Sequence, residues 1–145
     1  MSKEKKDIVV YCDGFLKNRM GKEGCSVAVA VDDKKVFHKF YFLNAIKEER
    51  FKRLVELSKP ITVPITELFA VYRGLQTADK LYHRHKQDII VYSDSLSSVN
   101  LVTGLWHPNE RVIKLWTNKC QFVYELGHKR LLWIRRTKLV EMLGH

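Results

Sequence analysis

The chain has 145 residues, of which 46% are hydrophobic and 29% charged, with a formal net charge of +10; this suits one globular domain with a single substantial core and excludes a disordered chain. No apolar run approaches the roughly 20 residues that a membrane span needs, and Met1-Ser2-Lys3-Glu4-Lys5-Lys6 lacks the apolar centre of a signal peptide, so a cytoplasmic protein is expected. The basic excess asks for a polyanionic partner, and a membrane surface is the poorer candidate because no helical stretch joins a basic side to a strong apolar face.

The first element is Asp7-Ile8-Val9-Val10-Tyr11-Cys12-Asp13-Gly14, a β-branched apolar run that suits a central strand buried on both faces. The carboxylate at its end is either a turn former or one wall of a cation site. Phe15 to Gly24 is polar and rich in glycine, so it reads as a hairpin loop; Cys25 to Val31 gives a second strand and Asp32-Asp33-Lys34 a turn. Lys35 to Phe42 alternates, with Val36, His38, Phe40 and Phe42 on one side and Phe37, Lys39 and Tyr41 on the other. Three antiparallel strands in a meander follow from this, with His38 half-buried.

From Asn44 to Ser58 the chain is charged with a helical apolar spacing, and Pro60 and Pro64 bracket an extended connector. Thr66 to Tyr82 is the strongest helical pattern, with Leu68, Val71, Tyr72, Leu75, Ala78 and Tyr82 on one face, Thr66 as N-cap and Glu67 in the first turn. His83 to Lys86 reads as a solvated basic loop. Next comes Asp88-Ile89-Ile90-Val91-Tyr92-Ser93-Asp94-Ser95, which repeats the Asp, Ile, Val, Tyr and closing Asp of the first strand in order. If the two strands lie side by side, Asp13 and Asp94 meet.

A short helix over Leu96 to Val102, a break at Gly104 to Pro108, a long helix from about Asn109 to Leu126, a strand at Leu131 to Ile134 and a terminal helix over Thr137 to Leu143 complete the chain. Trp106-His107, at the break, reads as a core tryptophan with a capping His or as a loop that grips a substrate. Cys12, Cys25 and Cys120 are odd in number and widely spaced, so they are expected as buried thiols without disulfides. The order βββαβαβα predicts a single α/β domain over 1–145.

Four stretches together resemble the ribonuclease H-like superfamily, type I ribonuclease H most of all, over Asp7 to about Leu143. They are Tyr11-Cys12-Asp13-Gly14, Thr66-Glu67-Leu68-Phe69-Ala70, Ser93-Asp94-Ser95 and Trp133-Ile134-Arg135-Arg136. The resemblance implies a five-stranded mixed sheet, three antiparallel strands followed by parallel additions, with helices on both faces. It also implies an endonuclease that hydrolyses the RNA strand of RNA/DNA hybrids with two Mg²⁺ ions, Mn²⁺ being possible. In that scheme Asp13, Glu67 and Asp94 are the catalytic metal ligands, and Lys17, Arg19, Lys22, Arg135, Arg136 and Lys138 grip phosphates. Such chemistry needs oxygen donors from separate rigid elements, since the ions activate a water and neutralise the leaving oxygen.

Departures from the pattern leave points open. The family's fourth acid lies in a C-terminal run that Val140-Glu141-Met142-Leu143-Gly144 matches with two residues missing, so Glu141 is the weak candidate and His145 the alternative. The asparagines that read a hybrid's minor groove are replaced by Val63-Pro64, and Phe15 stands where a small hydroxyl residue usually follows Asp-Gly. The segment 44–58 lacks a counterpart in minimal members and is expected to form a basic rim. A junction resolvase, a DNA nuclease or a catalytically weak nucleic-acid-binding module are the rival readings.

Overall fold

β1 (Ile8–Phe15), β2 (Gly24–Val31) and β3 (Lys34–Phe42) form an antiparallel meander, and β4 (Ile89–Ser93) and β5 (Lys129–Trp133) extend it in parallel, giving one sheet of order β3-β2-β1-β4-β5. This computed structural model describes residues 5–17 and 21–144. Among the described residues five α-helices complete it: α1 (Glu49–Leu57), α2 (Val63–His85), α3 (Leu96–Thr103), α4 (Arg111–Tyr124) and α5 (Arg136–Leu143). The mixed sheet is the expected one, and among the described residues no helix is long and apolar enough to cross a membrane.

Strand alternation sorts the core into two layers. One face of β1 and β2, carrying Val10, Cys12, Val27 and Val29, packs with Leu68, Val71 and Leu75 of α2 and Trp116 of α4. The other face, carrying Val9, Tyr11, Ala28 and Ala30, is covered by Leu139 and Leu143 of α5. Because β1 is buried on both faces, its continuous apolar run is explained. All three cysteines are buried and unbridged, as expected.

Several boundaries differ from the sequence reading. Helix α2 begins at Val63, not Thr66, because Pro64 sits at a first-turn position where a missing N–H has no partner to lose. Thr66 is therefore inside the helix, buried, with its hydroxyl donating to the Val63 carbonyl at 2.8 Å, and Glu67 lies beyond the first turn. The helix also runs on through His85, where a loop was expected, and closes on Lys86 at φ 55°. Trp106 is 49% exposed and Leu126 is exposed, whereas Trp116 is the buried tryptophan, donating to Ser58 Oγ at 2.8 Å. Segment 44–58 is more than a rim: Phe51 of α1 is buried against Trp116, with ring centroids 5.4 Å apart.

Two glycines set how closely α2 approaches the sheet. A β-carbon on Gly74 would lie 3.1 Å from Cys12 Sγ. One on Gly14 would lie 2.4 Å from the Thr66 carbonyl and 2.6 Å from the Glu67 nitrogen, both backbone atoms that cannot rotate away. Gly14→Ala should therefore prise β1 from α2 and lower the unfolding free energy by about 2–3 kcal/mol, read as a reduced urea midpoint with an unchanged slope.

Candidate functional site

Parallel pairing places β1 beside β4 with Tyr11 opposite Tyr92 and Cys12 opposite Ser93. The next residues along are Asp13 and Asp94, so the sequence echo is the register of the sheet itself. Both side chains are largely buried, at 5% and 9% exposure. Asp94 is further fixed by its backbone: Trp133 Nε1 donates to its carbonyl at 3.1 Å, and the Ile134 amide donates to the Ser93 carbonyl at 2.9 Å. Ser95 then caps α3, its hydroxyl accepting from the Ser98 amide at 3.2 Å.

Glu67 joins this pair from the side of α2, carried in by the contact at Gly14. Its pKa is raised above the ordinary 4.5, chiefly because burial penalises its charge; hydrogen bonding from Ser95 works the other way, Asp94 and Asp13 push it further up, and Arg136 pulls it down. The three acids thus share one electrostatic neighbourhood. One cation answers two of them: Arg136 Nη1 donates to Asp94 Oδ2 at 2.8 Å and lies 3.7 Å from Asp13 Oδ2. The Asp94 hydrogen bond and the Asp13 charge raise the guanidinium's pKa in turn.

A sequence profile of the reverse transcriptase-like family matches residues 45–138, well over half of the chain. The chain belongs to the reverse transcriptase-like family. No curated protein matches it in sequence. Among solved structures it is similar to LC11-RNase H1, isolated from compost by a metagenomic approach, at 18% identity and a TM-score of 0.69 over 94% of this chain and 89% of that one. It is also similar to the N-terminal RNase H domain of a Mycobacterium tuberculosis protein, at 16% identity and a TM-score of 0.66 over 95% and 88%. LC11-RNase H1 in complex with RNA/DNA hybrid gives 18% identity and a TM-score of 0.65 over 93% and 90%. The shared fold is ribonuclease H-like. Segment 44–58, expected to be additional, falls almost wholly within the part matched to the reverse transcriptase-like family.

Other expected site residues of this reverse transcriptase-like chain are placed unevenly. Glu141 is exposed on α5 and pairs with Lys138 at 3.4 Å. His145 and Arg19 lie outside the described residues. Lys17, Arg135 and Lys138 are exposed, while Lys22 is half-buried with Nζ 5.8 Å from the centre of the Phe42 ring. Arg136, expected on phosphate, stands against the two aspartates. The signal for this is at the start of α5, where Arg135, Arg136 and Lys138 crowd a helix N-terminus that ordinarily repels cations. Ser95, absent from the expected set, eases the charge on Glu67 together with Arg136, and the Ser-Asp-Ser stretch contained it.

A folded-state pKa above the unfolded one means that the native state takes up a proton first. The contribution of Glu67 is fully present below about pH 4.5 and is lost as pH rises through its folded value. Glu67→Gln should accordingly melt higher than the native protein at pH 7, and the gap should close below pH 4.5 in a thermal-melt series.

Proposed function

We propose that the protein is a metal-dependent endonuclease hydrolysing the RNA strand of RNA/DNA hybrids. The observation that carries this reading is the meeting of Asp13 and Asp94 at the ends of adjacent parallel strands with Glu67 beside them, in a fold shared with RNase H1 structures. Hard oxygen donors on three separate rigid elements suit Mg²⁺ or Mn²⁺. Among the described residues, no group of three such side chains stands ready to hold an ion; Arg136 stands between two of them. The donor chemistry therefore fits, provided the guanidinium withdraws, and its 64% exposure gives it room to do so.

Asp13, Glu67 and Asp94 would hold two divalent ions, which supply a water nucleophilic near neutral pH and neutralise charge at the leaving oxygen. The chain itself does the positioning. Gly14 fixes the approach of Glu67, Trp133 and Ile134 fix the Asp94 backbone, and the β1–β4 register fixes Asp13 against Asp94. Lys17, Lys22, Arg135 and Lys138 serve as phosphate contacts that orient the strand without reading its sequence.

A second reading, a DNA-directed nuclease such as a junction resolvase, is favoured by the start of α2. Val63 is 47% exposed there and is followed by Pro64, so neither residue offers a side-chain amide to a hybrid's minor groove. Labelled RNA/DNA hybrid, double-stranded RNA, duplex DNA and a four-way junction, each with Mg²⁺ or Mn²⁺, decide between them. Cleavage should be confined to the hybrid and should fall at least about a hundredfold in Asp13→Asn, since even groups that only support metal ligands cost 10–100-fold when removed. Cutting of the junction alone would transfer the assignment to the second reading, and binding without cleavage anywhere would leave a nucleic-acid-binding module.

Arg136 provides an independent measure of the cation requirement. Arg136→Ala should lower stability by about 1–2 kcal/mol in chelator, between the values for exposed and buried pairs. Added Mg²⁺ should raise its melting temperature more than that of the native protein.

A further inference from the structure

The row of residues that carries Asp13 continues outward across the sheet into aromatic side chains. On the face partly covered by α5, the cross-strand register runs Asp13–Ser26–Phe40, with Phe15–Gly24–Phe42 on one side of it and Tyr11–Ala28–His38 on the other. The apolar contacts of α5 are with the opposite end, on Val9, Tyr11, Ala28 and Ala30. Phe40 is left 50% exposed, and Phe15, His38 and Phe42 are half-buried.

The middle strand explains how these rings join. Gly24 and Ser26 fill little space between β1 and β3, so Phe15 leans across to within 6.3 Å of Phe40 and 6.1 Å of Phe42, measured between ring centroids. The His38 ring stacks on Phe40 at 4.9 Å, with 28° between planes. Ser26 Oγ is buried beneath this surface with no hydrogen-bond partner among the described residues. Cations stand at both ends: Lys22 lies over Phe42 at 5.8 Å, and Lys35 Nζ lies 3.4 Å from His38 Nδ1. Lys34, Lys35 and Lys39 along the edge strand repel a second copy that would pair there.

We propose that this aromatic floor binds unpaired bases of a single-stranded nucleic acid, with Lys22 and Lys35 against its phosphates. Every nucleobase offers a flat apolar face, so stacking of this kind is tolerant of sequence, while phosphate neutralisation adds a salt-dependent share. A duplex has its base faces already occupied, so the floor selects strand ends, gaps or displaced strands next to Asp13. The inference rests on the reading of the chain as a partner of nucleic acid, and it does not require hydrolysis.

The test is anisotropy of a labelled oligothymidylate in chelator, beside an abasic strand of equal length that keeps the phosphates and lacks the bases. Phe40→Ala should weaken oligothymidylate binding about tenfold, as loss of one stacked base does, and leave abasic binding unchanged. Phe40→Trp should retain the affinity, and its thermal melt confirms folding. Equal affinity of the native protein for the two strands would overturn the proposal, as would a folded Phe40→Ala that binds like the native protein. A dimer dissolved by Phe40→Ala would assign the face to a second copy instead. Hybrid cleavage is read with metal on a different substrate, so either result can fail without the other.

Discussion

The absence of a side chain at Gly14 is the constraint on which the candidate site depends. Where β1 passes the second turn of α2, two backbones run closer than any β-carbon would allow. That contact brings an acid from a helix to an acid at the end of a strand, and the parallel pairing of β1 with β4 adds a third. None of the three side chains is placed by its own conformational choice; each is carried on an element held by the core. This rigidity is what a site for hard cations needs, since such ions demand oxygen donors at defined positions.

Gathering acids in this way is unfavourable in itself, as the raised pKa of Glu67 records. The fold answers with one guanidinium at the first position of α5, where the helix end is already positive and a cation gains nothing from the backbone. Arg136 is therefore held by the acids, through direct contact with Asp94 and Asp13 and the charge of Glu67, and is mostly exposed. A side chain so placed neutralises the acids while remaining open to solvent. The same helix that delivers it leaves β3 at the edge of the sheet uncovered, where aromatic rings take over from aliphatic ones.

How much of this could be read from the chain depends on whether the information was local. The strand pair was legible because Tyr11-Cys12-Asp13 and Tyr92-Ser93-Asp94 are short, repeated and terminated alike, and their register follows the repeat. The apolar face of α2 was legible for the same reason, but its ends were not. Proline at a helix start and a run of His and Arg at its finish both look like breaks, although the first is tolerated and the second is solvated helix. Trp106 and Trp116 are equivalent as letters; only the packing of Phe51 and Ser58 around one of them decides which is core. Arg136 was visible as a cation near the end of a strand, whereas its partners lie 42 and 123 residues away and no local pattern names them.

The register between β1 and β4 has a consequence for folding. β1 and β2 are neighbours in sequence and close through a short loop, whereas β1 and β4 are separated by two strands and two helices. Closing so long a connection is slow relative to a hairpin. Bringing Asp13 beside Asp94 therefore carries a larger loop-closure cost than forming the β1–β2 pair, and the gathering of the acids depends on the long-range pairing of the sheet and not on its local hairpin.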